Sequence, residues 1–449
     1  VNHGGVTASE GCETPAQLQC DGESVLACET WLNAPMRFVL DATWRRAGPD
    51  RRVVLGGSPL RLFRLSAAGA RIADEIEAGA DTSSPLAERW LDAGAIHPAP
   101  ATSFDAAHTF GVGDLTVVTP QLGGSVARDG RITVDDGSTP PLDTATVRLP
   151  TNRGPAAARN AGRPHCTTPL IAFVDADVDL PAAAHTEPSA WWAPLLAHFD
   201  DERVGLVAPR GTGDDGSSLD LGAAPARVRA GTRVSYVPGA MLIVRADAFD
   251  AIGGFDEALR SGEDVDFVWR LDADGWRCRY EPTRTVDHRP RPSLIGQLRQ
   301  QINYGASSGP LALRHPRALA PYRSNAWTAA VWLLAAAGRP VTSLAVAVGS
   351  TALLARRLRG VEPAVASKMV VSGHVRAGGQ AAAAIRRAWW PLALGASLVS
   401  RRARRVAIIA FLVDLRRPHI DLAFGWGLWR SMLRHRTLGP IRPDITSGP

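Results

Sequence analysis

Between residues 113 and 290, short apolar runs bounded by turn residues recur, each about the length of a strand. One occupies 115–119 and ends at Pro120, another spans 132–134, and a third is 171–174. Two more, 234–237 and 241–244, flank Pro238-Gly239, and 280–286 leads into Asp287-His288. Helical spacing appears between them. Alanines repeat through 152–162 (NRGPAAARNAG) behind Gly154-Pro155, and 246–252 is a short helix ahead of the turn Gly253-Gly254-Phe255-Asp256. Val265, Val268, Trp269 and Leu271 mark the buried side of a helix that begins after Ser261-Gly262, with Gly275 just past its end. Strands alternating with helices predict an α/β domain over 113–310 built on a mostly parallel, doubly wound sheet.

The flanking segments follow other patterns. Residues 1–35 lack apolar periodicity and are read as disordered or as an over-extended gene start, with Met36 as the expected true first residue. Residues 36–100 predict a small α+β module: strands at 37–44, 52–55 and 61–65, a turn at Gly56-Gly57-Ser58-Pro59, a helix capped by Ser66, and a second opened by Ser84-Pro85. This arrangement resembles the winged-helix-like peptide-recognition modules of peptide-derived natural-product pathways. A plain extension of the next domain is the competing reading.

From 320 to 440 the chain turns to alanine, leucine and arginine and predicts helices. The apolar runs 326–337 and 341–355 are split by Gly338-Arg339-Pro340, and each falls short of the ~18–20 residues that cross a bilayer. A third run, 406–415, lies between Arg401, Arg402, Arg404 and Arg405 on one side and Arg416 and Arg417 on the other. Trp389, Trp390, Trp426 and Trp429 stand near arginines, as at a headgroup interface. We expect a helical region attached to an anionic membrane surface at the cytoplasmic face of the cell membrane. The competing reading is a soluble subdomain with a basic face.

Charge and cysteine usage narrow the classes. The 50 basic residues include a single lysine, Lys368. Arginine use of this kind is explained by codon bias, and because the arginines flank apolar runs instead of lining a polar groove with aromatics, a nucleic-acid partner is not expected. Five cysteines, Cys12, Cys20, Cys28, Cys166 and Cys278, form no CxxC pair, and their odd number argues for a reducing compartment.

The chemistry gathers at 171–179, IAFVDADVD. Four apolar residues suit a strand buried on both faces, and Asp175, Asp177 and Asp179 then emerge at its carboxyl end, where open α/β sheets bind ligands. Residues two apart face the same way, so Asp175 and Asp177 are placed to share one hard cation beside substrate phosphates. A solvated acidic turn is the plain alternative for this stretch taken alone.

Three further signals stand in register with it: VDDGS at 134–138, the 152–162 segment, and GEDVDFVWR at 262–270. In this order and spacing, residues 113–310 resemble the family 2 inverting glycosyltransferases of GT-A fold. Arg210, the LDLG segment at 219–222, VSYVPGAMLIVR and GEDVDFVWRL look most like the branch that serves mycofactocin biosynthesis. The resemblance implies transfer of glucose from UDP-glucose to a peptide-derived small-molecule acceptor, building a β-linked oligosaccharide, with Mn²⁺ or Mg²⁺. It implies that Asp135 and Asp136 contact uracil and ribose, that Arg153 and Arg159 lie near the nucleotide, and that Asp175 holds ribose or metal-bound water. Asp177 and His288 are implied as metal ligands.

Asp264 is the implied catalytic base. At a helix start the dipole favours its ionised form, which is the form a base needs. Glu263 is expected to hydrogen-bond the acceptor, and Asp266 to pair with Arg270 one turn on. One departure stands out: only 121–131 separates the first strand from the DDGS turn, too short for a full crossover helix.

Two other readings stay open at this point. Leu122-Gly123-Gly124 with Arg128 and Arg131 faintly resembles the glycine-rich loop of sugar nucleotidyltransferases, though without a nearby lysine. The shortened crossover also suits a non-catalytic, membrane-tethered peptide-binding scaffold.

Overall fold

A computed structural model describes residues 35–446 apart from 102–107, 125–129, 214–219, 290–292, 359 and 416. The expectation for 1–34, the three cysteines there, Arg128 and Arg416 lie outside the described residues.

The first module contains β1 (Phe38–Leu40), β2 (Arg45–Ala47), β3 (Val53–Gly56), β4 (Arg61–Arg64), α1 (Ala67–Glu77), α2 (Pro85–Ala93) and β5 (Ile96–Pro98). Both predicted caps form: Ser66 Oγ accepts from Gly69 N, and Ser84 Oγ from Ala87 N. The strand expected over 37–44 is interrupted, because Asp41 turns the chain by accepting from Thr43 N, so β1 pairs with β5 and β2 with β3. Trp44 packs edge-on to the fully buried Trp90 to centre this core. The module docks on the next domain through Asp92, which accepts from Arg227 Nη1 at 2.8 Å and Arg277 Nε at 2.9 Å.

The second domain carries β6 (Leu115–Gln121), β7 (Ile132–Asp136), β8 (Val147–Leu149), α3 (Pro155–Gly162), β9 (Leu170–Val174), β10 (Val178–Asp179), α4 (Ala183–Thr186), α5 (Pro188–Leu196) and β11 (Val204–Thr212). There follow β12 (Ala226–Val228), β13 (Met241–Arg245), α6 (Ala246–Ala251), α7 (Glu263–Ala273), β14 (Arg277–His288), α8 (Leu294–Ala306) and α9 (Ser308–Arg314). Among the described residues nine strands make one sheet in the order β10-β14-β11-β13-β9-β6-β7-β8, with β12 on β14.

The sheet is mixed, not mostly parallel. β6, β7, β8 and β9 run parallel, but β13 lies antiparallel between β9 and β11, and β10 and β12 are antiparallel to β14. β9 is buried on both faces as its sequence requires. Ile171 and Phe173 enter a core with α3, α6 and α7, while Leu170, Ala172 and Val174 enter one with α5. Residues 234–237 do not form the expected strand; Val234 makes an isolated bridge to Val228, and 235–237 have no regular secondary structure.

The last region comprises β15 (Arg323–Asn325), α10 (Ala326–Ala336), α11 (Pro340–Arg357), α12 (Pro363–Arg387), α13 (Trp390–Val399), α14 (Arg401–Leu412), α15 (Pro418–His435) and β16 (Asp444–Thr446), which pairs in parallel with β15. Gly338-Arg339 separates α10 from α11, as expected. Among the described residues no helix is long and apolar enough to cross a membrane. Two of the four tryptophans assigned to a headgroup interface are tied inward instead: Trp389 Nε1 donates to Ile441 O and Trp429 Nε1 to Ala388 O, whereas Trp426 is exposed.

Candidate active site

The carboxyl ends of β9 and β14 and the starts of α3 and α7 border a cavity of about 610 Å³. It gathers Arg159, Asp175, Asp177, Glu263, Asp264 and His288, drawn from segments up to 129 positions apart in sequence. Asp135, Asp136 and Arg153 do not line it.

The closeness of the two expected metal ligands, Asp177 and His288, follows from strand register. β10 pairs with the end of β14 so that Val178 faces His288, and Arg289 N donates to Asp177 O at 2.9 Å. This brings His288 Nε2 to 3.3 Å from Asp177 Oδ2. A carboxylate oxygen and an imidazole nitrogen are suitable donors for Mn²⁺. Among the described residues no set of three or more His, Cys, Asp or Glu surrounds a metal position. A two-residue set fits an ion whose remaining positions are filled by substrate phosphates and water.

Arg159 holds the floor together. It projects from α3, is almost fully buried, and donates to Asp175 Oδ1 (2.7 Å), Glu263 Oε1 (2.9 Å) and Gly239 O (3.3 Å). Burial works against its charge, yet Asp175 and Glu263 hold its pKa above the ordinary arginine value. Burial also lifts the pKa of Asp175, with Arg159 opposing.

Asp264 stands at the second position of α7. Its Oδ2 accepts from Gly239 N and its Oδ1 from Val265 N, each at 2.8 Å. Burial first, and the neighbouring Glu263 charge second, push its pKa up to about 7 against the pull of these amides and Arg159. Gly239 permits this approach: a Cβ there would lie 2.9 Å from Arg159 Nη2 and 3.3 Å from Asp264 Cβ. Asp266, by contrast, faces away into a pair with Arg270 (2.7 Å) and His315 (2.9 Å), as expected for the former.

Asp135 and Asp136 sit one layer behind the cavity. Asp135 is fully buried and accepts from Ser138 N (2.8 Å) and Leu142 N (3.2 Å). Burial opposes its charge, but Ser138 and Leu142 keep its pKa below the ordinary value. Asp136 accepts from Arg153 N (2.7 Å) and Gly154 N (2.8 Å), anchoring the start of α3, whose Pro155 does line the cavity. Gly137 has the positive φ of 76° that the turn between them needs. The Arg153 side chain points outward to Glu257.

Sequence reasoning missed Arg260, four residues before Asp264, which lines the cavity while donating to Asn152 Oδ1 at 3.0 Å. It also missed a wall from distant helices: Tyr236, Gln300, Tyr304, Arg387 and Phe424. Only the spacing of Arg260 to the GED segment offered a signal.

Residues 132–227 match the family described as Glycosyl transferase family 2. Over 459 aligned positions the chain is 37% identical to a protein named pre-mycofactocin glycosyltransferase from Mycobacterium tuberculosis (strains CDC 1551 / Oshkosh and ATCC 25618 / H37Rv), covering 88% of this chain and 95% of that one. The chain belongs to the pre-mycofactocin glycosyltransferases of family 2. It is therefore a glycosyltransferase with a GT-A-like α/β domain, and the nucleotidyltransferase and non-catalytic scaffold readings are set aside. A solved mannosyltransferase, PcManGT from Pyrobaculum calidifontis in complex with GDP-Man and Mn²⁺, is 16% identical with a TM-score of 0.39, covering 78% of this chain and 93% of that one. GalNAc-T7 with UDP, GalNAc and Mn²⁺ is likewise 16% identical, with a TM-score of 0.30 over 39% of this chain and 43% of that one.

Proposed function

We propose that the protein transfers a hexose, glucose, from a UDP-sugar to a hydroxyl of the peptide-derived mycofactocin precursor with inversion, forming a β-linked oligosaccharide. The observation that carries this reading is the meeting of Asp177, His288 and Asp264 in one cavity. Asp264 takes the proton from the acceptor hydroxyl as its oxygen bonds to the anomeric carbon and the bond to the diphosphate breaks. Its two amide contacts aim the carboxylate, and Arg159 keeps the adjacent Glu263 in place to orient the acceptor. Asp177 and His288 are the residues that would hold a divalent ion, which would supply positive charge against that of the departing diphosphate. Asp135 and Asp136 shape the β7–α3 loops that contact the nucleoside, and the module over 36–100 assists recognition of the peptide-derived acceptor. Incubation with a panel of nucleotide sugars and Mn²⁺, with UDP release as readout, tests the reading; UDP-glucose is the expected donor, and absence of UDP release from every donor rejects it.

The same reading places the protein at the cytoplasmic face of the cell membrane. Leu344 and Val348 on α11, Leu394 and Leu398 on α13, and Ile408 and Ile409 on α14 are exposed, while Arg401, Arg402, Arg404 and Arg405 lie close by. An apolar surface beside a dense arginine cluster suits a helical region lying in one leaflet of an anionic bilayer. Flotation with phosphatidylglycerol vesicles tests it: binding is expected at low salt, and no binding at any salt concentration rejects it.

A further inference from the structure

Where the first module docks on the sheet, three arginines leave one face of it together. Arg227 on β12 is the direct cross-strand partner of Arg279 on β14, and Arg277 lies two positions earlier on the same strand. Arg279 also shares this face with Val207 of β11, which packs in the core beside α5. The two carboxylates within reach are already taken. Asp92 of α2 accepts from Arg227 Nη1 and Arg277 Nε, and Asp201, just ahead of β11, accepts from Arg277 Nη1. Arg279 obtains neither. It is 1% exposed, and among the described residues nothing accepts from its Nε, Nη1 or Nη2. Arg277 Nη2 and Arg227 Nε are likewise buried without an acceptor among the described residues.

We infer that this row of guanidinium groups binds a chloride-sized inorganic anion, held by Arg279 with Arg277 Nη2 and Arg227 Nε, which fastens the first module to β14. Charge selects an anion over water. Three cations face two carboxylates, and a buried charge without a counter-charge is strongly unfavourable. Water would satisfy the donors and leave that charge in place. Other nearby acids do not supply it: Asp272 is engaged by Arg227 (3.3 Å) and Arg229 (3.2 Å), and Asp41 by Thr43 N and His97 Nε2. Burial, and then the Arg277 charge, bring the pKa of Arg279 down to about 9 against Asp201, so it is still charged at neutral pH. Burial selects a small ion, because the guanidinium is covered by the sheet on one side and the module on the other. The cover includes His97 of β5, whose pKa is lowered by burial and further by the Arg279 charge, with Asp41 opposing.

The test compares the thermal midpoint of the full chain in sodium chloride and in sodium gluconate at equal ionic strength, gluconate being too large for the site. An ion that binds only the folded state raises the midpoint, here by about 2 °C or more at saturating chloride. Arg279→Leu removes the unpaired charge and should abolish the difference between the two salts. Bromide gives a second readout that does not depend on that variant folding: crystals of the wild type grown in sodium bromide should show an anomalous-scattering peak against the Arg279 guanidinium. Equal midpoints in chloride and gluconate, a chloride effect that persists in Arg279→Leu, or crystals without bromide at Arg279 each overturn the inference.

Discussion

Gly239 N donates to Asp264 Oδ2 at 2.8 Å, tying the turn that precedes β13 to the first turn of α7. The contact fixes the aim of the Asp264 carboxylate from outside its own helix. Gly239→Ala would put a methyl group 2.9 Å from Arg159 Nη2 and 3.3 Å from Asp264 Cβ, so one of them must shift. Displacement of about 1 Å at a reacting group costs on the order of 10²-fold in rate. We expect kcat for UDP release to fall by about that factor while the thermal midpoint moves little.

Arg159 pairs with two carboxylates at once. Its replacement by Met leaves Asp175 and the buried Glu263 without a cation, and breaking a buried pair of this kind costs about 3–5 kcal/mol. Urea unfolding should show a loss of that size. Arg159→Lys should recover only part, because one ammonium cannot span both partners.

The raised pKa of Asp264 gives a pH signature. Protonated Asp264 cannot act as base, so kcat/KM should fall as pH drops through about 7, well above the usual carboxylate range. Stability runs the other way. Because the folded pKa lies above the unfolded value of 3.8, the native state holds the proton longer, and stability declines as pH rises from about 4 to 7. Asp264→Asn should therefore gain thermal midpoint relative to wild type at pH 8 more than at pH 4.

Much of this site was legible in the sequence, for physical reasons that differ by residue. The run from Leu170 to Val174 is apolar throughout, which demands a doubly buried strand, and the acids after it had to surface at the sheet rim. Ser66, and Ser84 with Pro85, announce helix starts through local hydrogen bonding alone. Strand direction is another matter. Met241 to Val244 is buried on both faces whichever way it runs, so nothing in its composition marks β13 as antiparallel. The segment from Val234 to Val237 has strand-like residues but finds only one bridge. Phe424 reaches the cavity through a helix crossing at Gly305 and Gly427, a contact between segments more than 100 positions apart, and Arg387 through the close packing of the end of α12 on Gly425 of α15.

His288 owes its place beside Asp177 to β10–β14 pairing. His288→Ala should weaken Mn²⁺-dependent UDP binding by about tenfold in calorimetric titration, with metal-free UDP binding much less affected.

The central claim is that Asp264 removes the acceptor proton while the donor is held elsewhere in the same cavity. Asp264→Asn tests it most directly, with UDP–Mn²⁺ affinity measured by calorimetry and transfer measured by UDP release on one preparation. The account predicts donor affinity close to wild type and transfer reduced by about 10²–10⁴-fold; transfer at the wild-type rate in a variant that binds UDP normally would contradict it.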